Sequence, residues 1–512
     1  MINDDPNKIE PVLKELKKNF LDQQTKQIRF RKQQLQNLLR GLKELRPEIH
    51  QAQEKDLGIK NPNLGETFYL VPIEKALEHV ISHFEVWTKP RFVKTPLLVG
   101  NGSSKIVPEP FGTVLVIGSW NYPFFTALAP AFEAIAAGNC VALKPSELAP
   151  NISKVLRKLF EKYLDTRYYQ VIEGGVEVAK KISTYKWDLI IFTGSPEKGR
   201  LVAKAAADNL VPVILELGGK SPCIIDQDAN IENAAIRICS GKYQNCGQTC
   251  IAPDFILVHE SQKDKFIKSL QEKIELFYSQ DPQNNQDYSR IISEFHAERQ
   301  VKMIEEVKDK IVYGGNSDSK DRYVQPTIVL NPGKESQIMK EEIFGPILPV
   351  ITYKDFVGEV LNPIMSDEKP LALYYFGGNK EHLRVLEQQT SSGAFVHNDV
   401  IMHSVVNDLP FGGVGKSGQS RLHGLYGFEA CSHMKPILYK DTSNSFPNHI
   451  RFPPYTDSKM KFAKFVVPFG HLTNEDVKSG VLLAVFIVLF YFVVIPQIQN
   501  IFGNDSQQNA DL

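Results

Sequence analysis

Between residues 111 and 207 short apolar runs alternate with helix-like segments, and few chain topologies accommodate that alternation. Gly112-Thr-Val-Leu-Val-Ile-Gly118 is apolar throughout and ends in glycine, the pattern of a strand buried on both faces. The small, apolar stretch 127–137 predicts a tightly packed helix, Asn139-Cys-Val-Ala-Leu143 the next strand, and 152–164 another helix. Tyr169-Gln-Val-Ile172 and Leu189-Ile-Ile-Phe192 predict further strands, followed by a helix over 197–207. Strands separated by helices must run parallel, with helices covering both faces of the sheet, so the fold class is doubly wound α/β. From about residue 218 to 394 the texture repeats. There 255–258, 322–330, 349–352, 371–376 and 394–398 read as strands, and 260–310 as helical and charged.

The flanks differ. Residues 8–55 are rich in Lys, Gln, Glu and Leu at roughly helical spacing and predict one or two amphipathic helices with a solvated face; 74–87 predicts another helix. A chain of 512 residues with 59 basic and 59 acidic side chains carries no net charge, so nothing global points to nucleic acid. Six cysteines, irregularly spaced, do not form a disulfide framework and fit a reducing compartment. The polar, acidic N-terminus lacks the pattern of a signal peptide. Near the other end Val481-Leu-Leu-Ala-Val-Phe-Ile-Val-Leu-Phe-Tyr-Phe-Val-Val-Ile495 is apolar on every side. Extended to 477–498 it reaches the ~20 residues a membrane span needs. Lys459, Lys461, Lys464 and Lys478 precede it and no basic residue follows, which keeps the preceding domain on the cytosolic side. A buried terminal helix is the alternative.

Chemistry concentrates in Tyr243-Gln-Asn-Cys-Gly-Gln-Thr-Cys-Ile-Ala-Pro253, where Cys250 lies in a polar turn ahead of an apolar strand. A cysteine so held suits covalent catalysis once its thiolate forms; by itself it would equally be a small buried apolar residue. Cys246, four residues earlier, is a rival nucleophile. A metal half-site is disfavoured because no second Cys/His pair at ligand spacing stands nearby, so no metal is expected. No Gly-x-Gly-x-x-Gly follows the first strand. Instead Phe192-Thr-Gly-Ser-Pro-Glu-Lys-Gly199 joins a strand to a helix. There Gly194 and Gly199 permit close approach of a phosphate and Ser195 can cap a helix whose N-terminus attracts pyrophosphate. In Lys144-Pro-Ser-Glu147 a carboxylate just past a strand can accept bonds from ribose hydroxyls, or the two charges are simply exposed.

These stretches, with Gly118-Ser-Trp-Asn-Tyr-Pro-Phe124, Leu215-Glu-Leu-Gly-Gly-Lys-Ser-Pro222, Glu342-Ile-Phe-Gly-Pro346 and Pro410-Phe-Gly-Gly-Val-Gly415, resemble the aldehyde dehydrogenase superfamily over roughly residues 10–440. Their details look like its class 3 branch, which includes fatty aldehyde dehydrogenases, some ending in a membrane anchor. The resemblance implies two doubly wound α/β domains, an NAD-binding domain over 1–217 and a catalytic domain over 218–412. A small oligomerisation excursion is expected near 94–108, with a return over 413–450, a linker over 451–476, the transmembrane helix over 477–498 and a tail over 499–512. It implies Cys250 as nucleophile, Asn121 as oxyanion donor and Glu216 as base. Lys144, Glu147, Gly194, Ser195, Gly199, Glu342 and Phe344 would contact the cofactor, with Glu342 open as an alternative base. NAD is the expected cofactor, with NADP possible, and a homodimer the expected assembly. The substrate class implied is medium- to long-chain aliphatic aldehydes, with small aromatic or metabolic aldehydes, or an inactive membrane-anchored scaffold, as rivals. The endoplasmic reticulum is the favoured membrane, the mitochondrial outer membrane and lipid droplets the alternatives.

Overall fold

The computed structural model describes residues 4–96, 99, 102–443 and 451–466, together with 473, 479, 480 and 484. The chain divides into two compact units, Met1–Thr88 with Glu109–His433, and Lys89–Pro108 with Met434–Leu512.

The first unit contains two sheets that follow the two blocks of alternating texture. In the first, strands Val213–Leu217, Leu189–Gly194, Thr113–Ile117, Cys140–Lys144 and Tyr169–Val171 lie side by side and parallel. The short strand Gly418–Gln419 joins its edge antiparallel, setting Gly418 opposite Glu216. In the second sheet the order is Ile311–Tyr313, Thr327–Leu330, Ile347–Tyr353, Phe255–His259, Pro222–Ile225, Ala372–Phe376 and Ala394–His397. Only Ile311–Tyr313 runs antiparallel to its neighbour. The central strands are wholly buried, as their unbroken Val/Ile/Leu runs require.

The helices bury the sheets. Pro123–Ala137 begins at proline, four residues before the expected start, and ends at Gly138, whose φ of 98° closes the last turn. Asn139 then ties three segments together: its amide donates to the carbonyls of Ala134 (3.1 Å) and Cys431 (2.9 Å), and its oxygen accepts from Gly112 N–H (2.9 Å). The N-terminal region forms three longer helices, Ile9–Phe20, Ile28–Glu44 and Arg46–Leu57, rather than one or two. Other departures have plain causes. The expected strand 322–330 is two, Tyr323–Val324 and Thr327–Leu330, because Pro326 interrupts it and Tyr323–Val324 turns back to pair with Ser317–Asp318. The helical region 260–310 is Lys263–Tyr278 and Glu294–Glu306 with an irregular segment between.

Arg91–Val93, Gly102–Pro110 and Ser432–Lys440 make a three-stranded sheet, most of whose residues belong to the second unit. The excursion expected near 94–108 belongs to this unit. A helix, Asp457–Val466, forms within the expected linker. No helix of the described residues is long and apolar enough to cross a membrane. The expected anchor over 477–498 lies outside the described residues except at 479, 480 and 484, and the tail over 499–512 lies outside them entirely.

Candidate active site

A cavity of about 1910 Å³ opens within the first unit, at the ends of the two sets of strands. That is where open α/β sheets bind ligands, because helix N-termini and strand-end loops converge there. Of the ten residues singled out in the sequence, nine line it: Asn121, Lys144, Glu147, Gly194, Ser195, Glu216, Cys250, Glu342 and Phe344. Gly199 does not. It lies in the first turn of the helix Pro196–Ala207, where a Cβ would meet Leu217 Cδ2 at 2.6 Å, so its smallness serves helix-to-strand packing.

Cys250 stands in a turn between a distorted 3₁₀ segment, Gln244–Gly247, and the strand Phe255–His259. Asn245 and Cys246 there adopt φ of 51° and 52°, left-handed values that a non-glycine residue takes only when its surroundings hold it. The clamp is Gln248, fully buried: its amide donates to Asn245 O and Arg290 O, both at 3.0 Å, and its oxygen accepts from Ile292 N–H at 2.8 Å. Gly247 touches the Glu342 loop so closely that a Cβ would sit 2.2 Å from Gly345 O. Cys246 is buried with its thiol on Ser289 O (3.0 Å), while Cys250 is half-buried and faces the cavity; access separates the two cysteines. Burial, with the Glu342 and Glu216 carboxyls next in effect, pushes the Cys250 thiol up to about 12, against its own N–H and that of Ile251, which favour the thiolate.

Asn121 donates its side-chain amide to Gln248 O (3.0 Å), and its oxygen accepts from Ser119 Oγ (2.7 Å). An amide nitrogen has two hydrogens, so one donor remains for a ligand oxygen. The strand Val213–Leu217 carries Glu216, buried, with neither oxygen hydrogen-bonded. Burial first, then Glu133, raises its carboxyl well above the ordinary range. The expected glycine-rich loop lies over it: a Cβ on Gly412 would come within 3.2 Å of Glu216 Oε1. Glu342 is raised to about 8 by burial and then by Asp254, with Gly219 N–H, Lys220 and Arg299 opposing. Its oxygens occupy the space a Cβ on Gly218 would need, at 2.2 and 2.6 Å.

Also lining the cavity, Lys144 donates to Glu147 (2.9 Å) at the end of its strand. Ser195 caps Pro196–Ala207 by accepting from Lys198 N–H (3.3 Å). Gly194 admits no Cβ because the Phe192 ring lies 2.6 Å away. A paired Lys–Glu at one strand end and a capped helix N-terminus at the next, both facing one cavity, fit the ribose and pyrophosphate of a dinucleotide. Phe344, at a φ of 49°, meets Trp120 edge-on at 5.2 Å.

Several members escaped sequence reading. Lys220 pairs with Asp254 and also donates to Ile338 O and Glu341 O at 2.7 and 2.9 Å. Asp254 in turn accepts Ile343 N–H (2.9 Å), so the pair fixes the loop that carries Glu342. Tyr122 bonds Thr249 (2.9 Å), and Tyr374 donates to Ile251 O (2.5 Å), gripping the Cys250 turn from both sides. Lys220, Tyr122 and Thr249 stand inside motifs read from the sequence but received no role there; Asp254 and Tyr374 carry no local pattern. His423 is neutral, lowered to about 4 by burial, and stacks on Phe411 at 4.8 Å, in keeping with a structural part.

Comparison with known proteins agrees with this geometry. The aldehyde dehydrogenase family model matches residues 3–437. The rat protein "aldehyde dehydrogenase family 3 member A2" is 41% identical over 457 residues, covering 89% of this chain and 94% of that protein. The 4,4'-diaponeurosporen-aldehyde dehydrogenase of Staphylococcus aureus is 42% identical over 458 residues, covering 90% and 99%. A solved structure, the substrate-bound state of Staphylococcus aureus AldH, superposes with a TM-score of 0.87 at 41% identity, over 90% of this chain and 99% of that one. The family uses NAD(P). The chain belongs to the aldehyde dehydrogenase family and is an enzyme that oxidises aldehydes.

Proposed function

We propose that this enzyme oxidises medium- to long-chain aliphatic aldehydes to carboxylic acids, with NAD as cofactor, from the cytosolic face of a membrane. The observation that carries the reading is the convergence of Cys250, Asn121 and Glu216 on a cavity also lined by the apolar side chains Phe68, Ile401, Met402 and Val405. Three of these, Phe68, Met402 and Val405, are exposed, so an alkyl chain passing inward meets apolar surface. Each buried CH₂ contributes about 0.8 kcal/mol.

In this reading the Cys250 thiol first gives its proton to water, and the thiolate Sγ then adds to the aldehyde carbon, forming a C–S bond and an alkoxide. The free Asn121 amide hydrogen and the Cys250 N–H take that charge; one such donor contributes about 3–4 kcal/mol. NAD, when bound, supplies the hydride acceptor and a positive ring. Lys144 and Glu147 would hold its adenosine ribose, Ser195 and the helix end its pyrophosphate, and Glu342 its second ribose, with Phe344 beside the ring. Glu216 then takes a proton from water, whose oxygen attacks the Cys250 thioester; the C–S bond breaks and the acid leaves. An unpartnered, raised carboxyl is suited to that task.

The membrane part rests on sequence: an apolar run of anchor length at 477–498, with lysines on one side only. The endoplasmic reticulum is the membrane favoured in this reading, and a homodimer accompanies the class 3 resemblance. Arg237, Gln244 and Asp399 line the same cavity and favour the second reading, a small aromatic or metabolic aldehyde. A series of aldehydes of rising chain length decides between them. We expect kcat/KM to climb with each added CH₂ up to a plateau; a flat or falling series with an aromatic optimum contradicts the fatty aldehyde reading. Deleting residues 477–512 should release the enzyme from membranes with its kcat on short aldehydes intact. Persistence in the membrane pellet after alkaline carbonate washing refutes the anchor.

A further inference from the structure

Ile401 lines the cavity with a backbone that its side chain resists. Its φ of 65° and ψ of −35° fall on the left-handed side, where a β-branched residue is an outlier. Met402 N–H donates to Val400 O at 2.7 Å and closes a three-residue turn on Ile401, the rare and strained form of such turns. Ile401 O accepts Ser404 N–H at 2.9 Å. The turn packs on the helix Ile231–Tyr243, where a Cβ on Gly241 would meet the Val400 and Ile401 side chains. Ile401 N–H takes no part in closing the turn. It donates instead to Tyr374 Oη at 3.4 Å.

The same hydroxyl reaches the nucleophile. Tyr374 Oη donates its one hydrogen to Ile251 O at 2.5 Å, and its lone pairs remain free to accept Ile401 N–H. Cys250 and Ile251 are the two central residues of a turn closed by Ala252 N–H on Thr249 O at 2.9 Å. Tyr122 holds the Thr249 side chain at the start of that turn, and Tyr374 holds the Ile251 carbonyl near its end. The peptide between Cys250 and Ile251 is thus anchored on both sides. That keeps Ile251 N–H where it favours the Cys250 thiolate. Tyr374 has little freedom of its own. It is fully buried in the strand Ala372–Phe376, in register with Cys223 on one side and Val396 on the other.

We propose that Tyr374 is a positioning residue for aldehyde oxidation: its hydroxyl locks the Ile401 turn of the cavity wall to the Cys250 turn, so that the surface an aldehyde rests on and the sulfur that attacks it keep one spacing. Backbone strain such as that at Ile401 persists only where the surroundings over-determine it, and the Tyr374 bond is one of the constraints that do so. The spacing matters because a misplacement of about 1 Å can cost about 10²-fold in rate. Tyr374 acts without ionising. Burial raises its hydroxyl well above the ordinary range, against Ile401 N–H, so the group stays neutral and its effect is geometric. The other titratable groups that face Cys250, namely Glu342, Glu216 and Tyr122, keep their charges when the hydroxyl is removed.

This inference rests on Cys250 being the nucleophile. The test is Tyr374→Phe in the full-length enzyme, which removes the hydroxyl and no charge. On rapid mixing with NAD and propanal the NADH burst should be about tenfold slower, with NAD affinity unchanged. The Ile401 amide, its acceptor gone, should exchange hydrogen about tenfold faster. A burst at the wild-type rate overturns the proposal even where the variant is less stable, since lost stability alone marks a structural part. A slow burst with Ile401 exchange unchanged also overturns it, because the wall is then not tied to the nucleophile. Should Tyr374→Phe not fold, hydrogen exchange of the wild-type enzyme in rising, sub-denaturing urea decides the matter. The Ala252 and Ile401 amides should open together, with one dependence on urea; separate openings contradict the lock. If Cys250→Ala keeps the burst, the nucleophile assignment falls and the lock with it. If Cys250→Ala loses the burst while Tyr374→Phe keeps it, only the lock falls.

Discussion

Two buried carboxylates ten residues apart, Glu216 and Asp226, show opposite treatment. Both stand at the end of a strand, one in each sheet, and both are nearly inaccessible. Asp226 accepts from Tyr375 (2.8 Å), Tyr353 (3.2 Å), His382 (2.5 Å) and Gln227 N–H (2.8 Å). Burial works to raise its carboxyl, and these donors, His382 foremost, outweigh it and leave the group below its usual range. Glu216 has no donor at all and is raised. Where a charge only holds the fold together, the chain satisfies it completely. Where, in the proposed function, it is to move a proton, the chain leaves it unsatisfied and accepts the loss of stability.

The largest effect expected is on the nucleophile. Cys250→Ala should bring NADH formation down about 10⁴-fold or more, with NAD binding unchanged, and Cys246→Ala should stay active. Substantial turnover in the first variant, or its loss only in the second, would transfer the role to Cys246.

The carboxylate comparison breaks if stability fails to diverge. Asp226→Asn should cost about 2–3 kcal/mol at neutral pH and leave kcat intact. The Asp226 carboxyl is depressed in the fold, so its contribution is present above the unfolded value and lost as pH falls through the folded one. The deficit of the variant should therefore vanish in acid. Glu216 behaves oppositely: its raised carboxyl means the native state holds the extra proton, so stability falls as pH rises above the ordinary carboxylate range. Glu216→Gln should match or exceed wild type in thermal stability, with a gain larger at about pH 8 than at about pH 5. Equal losses from both substitutions would erase the distinction drawn here.

A smaller effect is expected on the cofactor wall. Glu147 is partly open to solvent, so Glu147→Gln should shift the NAD-to-NADP preference by about 1 kcal/mol or less. An unchanged ratio of efficiencies would show that this carboxylate does not read the ribose.

The same comparison explains what could be read from the chain. Strands such as Thr113–Ile117 and Ala372–Phe376 are buried on both faces and announce themselves as unbroken apolar runs. Val213–Leu217 escaped strand assignment because Glu216 breaks its run, so the residue proposed as base hid its own element. Asn121, Glu216, Cys250 and Glu342 were legible through motifs whose residues lie within a few positions of each other. Asp254 and Gln248 act through long-range contacts: Gln248 reaches residues more than forty positions away and Asp254 reaches Ile343. No local pattern records such pairings. Gly199 is a case in which one local signal fits two uses, since a glycine suited to phosphate approach also lies where a Cβ would meet Leu217.

The central claim is that Glu216 is left without partners so that it can activate water against the Cys250 thioester. Rapid mixing of Glu216→Gln with NAD and aldehyde tests it most directly, by following NADH and acid separately. The account predicts a fast burst of one NADH per active site, then acid release slowed by about 10²–10⁴-fold. A burst lost together with turnover, or acid release at the wild-type rate, would contradict it.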